Sequence, residues 1–318
     1  MTVALASNQR VVLISGCSAG GIGHHLALEF AAHGCRVFAG VRTLSKAQTL
    51  VENPRIEAVE LDVTDDASVD AAVAHVLAAT GGRIDLLVNN AGIHCVGPAV
   101  EVPLAQVQKV FDTNFTGLVR LSRAVAPVMM DRRQGTIVNV GSAGGYVSTP
   151  WIGVYAASKA AVHAYSDALR IELAPFGINV VIVAPGCTKS NIVKNISEPI
   201  LDSNTTRYAM ARPAIEEKAM LSQTDGMTPA SDLAHVVVSK ILDRLPRAYI
   251  TYSSHSSAVW CLYYIPPAIR DYLLGRRFGL HQFAKDLRSP SLSSLISSSA
   301  LMWVALMAAL LGVVYALS

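Results

Sequence analysis

Residues 11–33 read VVLISGCSAGGIGHHLALEFAAH, and the order of residue types in this stretch decides the fold. VVLIS is a short apolar run led by β-branched side chains, which predicts a buried strand. Gly16, Gly20, Gly21 and Gly23 follow at once, and glycine allows the tight turns and close backbone approach that bulkier residues forbid. A helical pattern resumes at HHLALEFAAH. Strand, glycine turn and helix in that order put the helix N-terminus behind the loop. Free N–H groups and the positive dipole end there suit a pyrophosphate.

Working outward, the same unit repeats. RVFAGVR (36–42) predicts a second strand, IEAVELDV (56–63) a third, and residues 67–79 a helix. IDLLVNNAG predicts a fourth strand running into a glycine turn, residues 104–130 a long helix, and GTIVNVGS a fifth strand. Residues 155–173 read as a helix with small residues on one face, and INVVIVAPG (178–186) as the sixth strand. The strands are apolar throughout rather than alternating, as expected where helices cover both sheet faces. The fold class is therefore α/β, a doubly wound parallel sheet of Rossmann type, with ligands beyond the C-terminal strand ends. A catalytic domain over residues 1–288 is expected. Within it, the polar and irregular residues 191–227 would form a substrate loop. Ser231 is a candidate N-cap for DLAHVVVSKIL. AVWCLYYIPPAI (258–269) is apolar but broken by two prolines, which suits a core helix or an interfacial segment.

Hydrophobic residues make up 52% of the chain and charged residues 15%, against roughly 25% charged in an average soluble protein. A membrane-contacting part accounts for such a deficit. The candidate for it is the C-terminal end, where ALMWVALMAALLGVVYAL (300–317) carries no charge over a length that can span a bilayer as a helix. A Ser-rich linker, SPSLSSLISSS (289–299), sets it apart. Arg276, Arg277, Lys285 and Arg288 precede it and only Ser318 follows, so the body is expected on the cytosolic side of a membrane. A buried core helix, or a packing arm in a homo-oligomer, is the competing reading of this apolar C-terminal helix. MTVALASNQR at the other end lacks the pattern of a secretory signal. The net charge of +3 comes from scattered residues, which argues against a nucleic-acid partner. The cysteines, Cys17, Cys35, Cys95, Cys187 and Cys261, show no Cys-x-x-Cys pair or Cys/His cluster, and the adjacent His24 and His25 point apart on a helix. Neither a disulfide framework nor a metal site is expected, and a reducing compartment fits.

The second strand ends at Arg42, and residues 36–47 contain no Asp or Glu. An acidic residue here would bind the ribose 2′-hydroxyl of NAD, whereas a 2′-phosphate calls for a cation. Arg42 has bidentate geometry for phosphate and Lys46 is in reach, so the sequence points to NADP(H). A solvated strand-end arginine is the alternative.

Tyr155 and Lys159 lie four residues apart at the start of a helix, one turn apart on one face. An ammonium close to a phenol favours its ionised form and brings it toward working pH. Ser142, thirteen residues upstream at a strand end, could orient a substrate carbonyl beside the phenol. Together with the glycine loop, Asp62-Val63, Asn89-Asn90-Ala91-Gly92, Asn114 and Pro185-Gly186, these residues resemble the short-chain dehydrogenase/reductase family over residues 11–245.

The resemblance implies hydride transfer between nicotinamide and a carbonyl or alcohol carbon. Tyr155 would protonate the carbonyl oxygen, and Lys159 would bind the nicotinamide ribose and lower the tyrosine pKa. Ser142 would hold the substrate oxygen, and Asn114 would anchor a water relaying protons to Lys159. Gly16, Ser18, Gly21, Ile22 and Gly23 would cradle the cofactor, Asp62 and Val63 would edge the adenine, and Asn90 would lie beside the ribose. Ser190 or Thr188 would meet the carboxamide. Two departures from the family pattern stand out. Ser15 replaces the usual Thr, and one extra loop residue leaves open whether Gly20 or Gly21 meets phosphate.

Within the family, GCSAGGIG, FAGVR and the tract from Trp260 to Phe278-Gly279-Leu280 are similar to NADPH-dependent 1-acyl-dihydroxyacetone-phosphate reductases. That similarity implies a lipophilic ketone substrate and a place at the endoplasmic reticulum or lipid droplets. Reduction of a steroid, retinoid, polyketide or terpenoid ketone is the alternative, and a non-catalytic NADP(H)-binding protein is the reading from another class.

Overall fold

A computed structural model describes residues 9–192, 206–243 and 246–287. The first unit forms as read. β1 (Val11–Ser15) leads through the glycine loop into α1 (Ile22–Ala32), and β2 (Arg36–Val41) returns beside it. β3 (Ile56–Glu60), α2 (Asp66–Thr80) and β4 (Leu86–Asn89) follow, and later β5 (Gly135–Val140), α5 (Gly153–Leu173) and β6 (Ile178–Pro185). β9 (Tyr249–Tyr252) completes a seven-stranded sheet in the order β3-β2-β1-β4-β5-β6-β9, every neighbouring pair parallel. The order reverses between β1 and β4, which opens a crevice at their C-terminal ends.

Strand pleating sends successive residues to opposite layers. Val12 and Ile14 of β1 pack with Leu26 and Phe30 of α1 and with Leu233 and Val237 of α7 (Ala230–Leu242). Val11 and Leu13 pack on the other face with Val73 and Val76 of α2 and with Leu121, Val125 and Met129 of α4 (Gly117–Arg132). Each such fully buried side chain contributes about 1.5–3 kcal/mol relative to exposure. Two buried layers explain the unbroken apolar runs.

Several expectations need correction. The long helix read over 104–130 does form, unbroken from Leu104 to Arg132, but as α3 (Leu104–Phe111), an unforeseen π-helical turn (Asp112–Thr116) and then α4. The wider turn carries Asn114, whose side chain bonds the Ile93 backbone in place of regular packing. The part of 191–227 that the structure describes is largely helical rather than irregular, with α6 (Arg212–Met220) starting at a proline-bearing turn. Ser231 is not the N-cap of α7. Pro229, in the short strand β8 (Thr228–Pro229) that pairs with β7 (Thr188–Lys189), holds that place with extended backbone, and Ser231 Oγ donates to Asp232 instead.

Residues 258–269 do not form a core helix. They run from α8 (Ser256–Tyr263) through a turn at Pro266 into α9 (Pro267–Arg277), leaving Trp260 47%, Tyr263 49% and Tyr264 68% exposed. α10 (Leu280–Asp286) closes the described chain. The strand β9 was not anticipated: YITY is built of strand-favouring residues, but a four-residue run at the sheet edge is too short to stand out. The Ser-rich linker 289–299 and the apolar segment 300–317 lie outside the described residues. Among the described residues, no helix is long and apolar enough to cross a membrane.

Candidate active site

The C-terminal ends of the central strands border a cavity of about 290 Å³. One half is built on the glycine loop. Gly16 turns with φ +75°, and a Cβ there would sit 2.8 Å from Ala91 Cα, so only glycine lets the loop pass that close to the end of β4. Ser15 substitutes well for a threonine, since its Oγ accepts the amides of Asn90 and Ala91, both at 3.1 Å. Asn90 Nδ2 donates to the carbonyls of Ser15 and Gly16, each at 3.0 Å, and so fastens the loop to β4.

The extra loop residue is absorbed by Gly20, which is left-handed (φ +72°) and lies against Asn191. Gly21 is the N-cap of α1 in extended conformation and lines the cavity, together with Gly16, Ser18 and Ile22. Gly23 does not reach the cavity. Its missing Cβ leaves room for Asn90 Nδ2 and the Gly16 carbonyl, and so lets helix and loop approach. No side chain caps α1 and its first turn holds no acidic residue, so its first amides are free for an anion. Arg42 is exposed on the wall, and among the described residues no carboxylate pairs with it. Lys46, by contrast, is not a wall residue. Asp62 and Val63 line the same end, where the Asp62 carboxylate accepts the Thr64 amide (3.0 Å) and hydroxyl (2.7 Å).

The other half gathers Ser142, Tyr155 and Lys159. Lys159 is buried, and its Nζ donates to the Val140 carbonyl at 2.8 Å. Burial pushes its pKa down to about 8. Ser142 Oγ hydrogen-bonds the Tyr155 phenol and accepts the Gly144 amide at 3.1 Å. The phenol itself departs from expectation. Burial raises its pKa above the ordinary tyrosine value, outweighing the bond from Ser142. The Lys159 ammonium stands 5.9 Å from the centre of the tyrosine ring and does not reverse this. Tyr155 is thus held protonated at neutral pH.

Asn114 sits behind the wall rather than on it. Oδ1 accepts the Ile93 amide at 2.8 Å, while Nδ2 donates to the Ile93 carbonyl and to Ser158 Oγ, each at 3.0 Å. Gly92 lies between it and Lys159: a Cβ there would be 3.3 Å from Asn114 Oδ1 and 3.5 Å from Lys159 Nζ. Asn89 turns away from the cavity and bonds Ser122 and Asn139, so it ties β4 to α4 and β5. Thr188 and Ser190 both line the cavity, but the Thr188 hydroxyl is engaged by Ser253 at 2.9 Å.

Three residues escaped the sequence reading. His94 stacks on the Tyr155 ring, with centroids 4.4 Å apart and planes inclined by 15°. His163 Nε2 accepts the Ser142 amide at 3.3 Å. It lies four residues beyond Lys159 on the face already singled out, and that spacing was the available signal. Lys218 of α6 also lines the cavity, and no local motif marks it. Burial, with help from nearby lysines, holds both histidines down to about 4, so they are neutral.

This geometry agrees with what the chain is similar to. Residues 10–200 match the short chain dehydrogenase family model. The short-chain dehydrogenase ptmH of Penicillium ochrochloron is 35% identical over 279 residues, covering 86% of this chain and 99% of that protein. The NADPH-dependent 1-acyldihydroxyacetone phosphate reductase of Schizosaccharomyces pombe is 38% identical over 214 residues, covering 66% and 72%. Among solved structures, a short-chain dehydrogenase from Streptomyces avermitilis superposes with a TM-score of 0.71 at 30% identity, covering 89% of this chain and 99% of that one. With a family model matched over most of the sheet and relatives aligned over most of their length, the chain belongs to the short-chain dehydrogenase family of oxidoreductases.

Proposed function

We propose that this chain is an NADPH-dependent reductase of a lipophilic ketone, with 1-acyl-dihydroxyacetone phosphate as the leading candidate. The observation that carries the reading is the meeting of Ser142, Tyr155 and Lys159 on one cavity wall that continues to the uncapped N-terminus of α1 and to Arg42. The residues fit a phosphorylated dinucleotide. Gly16 and Gly21 allow close approach, the first amides of α1 can take the pyrophosphate, and Arg42 can pair with a 2′-phosphate. The S. pombe relative, NADPH-dependent by name, supports the same cofactor.

The bound cofactor supplies the hydride. Tyr155 gives its phenolic proton to the substrate oxygen, and its raised pKa keeps that proton available at neutral pH. Ser142 holds the same oxygen by a hydrogen bond, and the fixed Gly144 amide keeps its hydroxyl turned to the phenol. Lys159, still largely charged at neutral pH, stabilises the phenolate left behind. Asn114 fixes the Ile93 backbone and the wall beside Lys159, a positioning role.

The uncharged segment 300–317 and the exposed Trp260, Tyr263 and Tyr264 support a membrane-associated enzyme at the endoplasmic reticulum or lipid droplets. A lipophilic substrate would be met there.

Replacing Tyr155 by Phe tests the mechanism. NADPH oxidation with a ketone substrate is expected to vanish while NADPH binding persists. Equal turnover by the variant would defeat the reading. For the membrane, deletion of residues 299–318 is expected to move the protein from pellet to supernatant.

A further inference from the structure

Lys218 presents an unresolved charge. It projects from α6 into the cavity wall, and its Nζ lies 4.5 Å from the centre of the Phe278 ring, which the Arg277 guanidinium also approaches at 5.4 Å. Its sequence neighbours do not neutralise it. Glu216 faces Arg212 at 3.8 Å, and Glu217 pairs with Arg277 at 2.9 Å. Among the described wall residues the one carboxylate is Asp62, which lies at the cofactor end and binds Thr64. A half-buried ammonium with no carboxylate partner among the described residues is only partly offset by the Phe278 ring, and such a charge persists where a ligand supplies the opposite one.

The same wall carries further polar residues. Two other wall residues, His94 and Thr149, each hold a buried polar atom, Nδ1 and Oγ1, without a hydrogen-bond partner. His94 is stacked on Tyr155 and within electrostatic reach of Lys218. Both atoms are closed off from solvent, so the group on this wall that a ligand can meet is the Lys218 ammonium.

We propose that Lys218 is an anion-binding residue of the substrate site, taking the phosphate or carboxylate of a ketone whose carbonyl lies against Ser142 and Tyr155. The proposal rests on the reductase reading only for that carbonyl; the anion subsite itself does not require turnover. It excludes purely neutral ketones as the preferred substrates.

Octyl phosphate, octanoate and octanol, titrated calorimetrically into the full chain with NADPH present, test it. Either anion, or both, is expected to bind about 10- to 100-fold more tightly than octanol, as for a hydrogen bond to a charged group. Lys218→Met should remove that difference without changing octanol binding, and Lys218→Arg should retain most of it. A preference for only one of the two anions would name the headgroup. The proposal is overturned if the wild-type chain shows no anion preference, or if Lys218→Met keeps it. It is equally overturned if that variant weakens all three ligands alike, as loss of the Phe278 contact alone would do. Absence of NADPH oxidation with every ketone, alongside an intact anion preference, would strike the reductase reading and leave the subsite standing.

Discussion

The backbone amide of Ser142 donates to Nε2 of His163 across 3.3 Å, from the end of β5 to the middle of α5. The bond requires Nε2 to be unprotonated, so the imidazole is neutral with its hydrogen on Nδ1. Glycines at 141 and 145 make the space, because a Cβ at either would press into the ring. The residue that orients the substrate oxygen is thus set by a histidine that touches neither substrate nor cofactor in the proposed scheme.

Acid is expected to undo this arrangement. His163 and His94 are held down to about 4 from an ordinary 6.5, chiefly by burial. Between those values the unfolded chain binds protons that the folded chain does not. Stability therefore falls as pH drops from about 6.5 toward 4, and is unaffected by these groups above 6.5. Thermal melts across that range should show Tm declining with pH. A His163→Gln variant, which keeps an acceptor and cannot titrate, should show a shallower decline.

Lys159 sets the opposite limit. Its pKa of about 8 lies below the ordinary 10.5 because it is buried, so it loses its charge within the range where assays are run. Tyr155 keeps its proton well beyond that point. The kcat for ketone reduction should be flat through neutrality and fall above about pH 8, with the alkaline limb belonging to the lysine rather than the phenol. Lys218 is also held near 8. Repeating the profile in Lys218→Met with a neutral ketone should leave the limb in place. A limb near 10 would assign it to another group.

Much of this was legible in the chain. Local patterns carried the sheet, because β1, β2, β4, β5 and β6 are apolar runs, and all but β2 run into a glycine or proline turn. The catalytic candidates were legible because Tyr155 and Lys159 share a helix face and Ser142 ends a strand. The residues that escaped are those whose meaning depends on distant partners. His94 matters because it stacks on Tyr155, and Lys218 because a helix remote in sequence closes over the cavity. The direction of the Tyr155 shift was misjudged for a related reason. Spacing shows a lysine nearby, but only the packed structure shows how completely the phenol is buried.

Arg42 should decide between phosphorylated and unphosphorylated cofactors. It lies exposed on the wall with no carboxylate partner among the described residues, free to fork onto a 2′-phosphate. Losing such a charge-assisted pair costs about 10- to 100-fold in affinity. Arg42→Gln should therefore raise the KM for NADPH by that factor and leave NADH nearly unchanged. Arg42→Asp should go further and favour NADH, by repelling the phosphate and accepting a 2′-hydroxyl. Paired KM measurements with the two cofactors check both. An unchanged NADPH preference in Arg42→Asp would assign the discrimination to a different cation.

The two adjacent glycines of the loop make separable demands, and alanine should tell them apart. At Gly20 the backbone is left-handed, and an added Cβ would meet Asn191 Nδ2 at 2.5 Å. Gly20→Ala thus carries about 1–2 kcal/mol of backbone strain in addition to displacing a side chain. It should lower Tm and loosen the contact between the loop and the chain at Asn191. At Gly21 the backbone is extended, with φ −86°, which alanine adopts freely, and the nearest obstacle is the Ser18 carbonyl at 3.1 Å. Gly21→Ala, free of backbone strain but pressing on the Ser18 carbonyl, should lower Tm less than Gly20→Ala. Its methyl group would instead stand at the uncapped start of α1, on the cavity wall where the pyrophosphate is expected. NADPH affinity should fall by more than the loss of stability accounts for. Should the two variants trade places, with Gly20→Ala stable but weak in cofactor binding, the extra loop residue would have been absorbed on the other side of the phosphate contact.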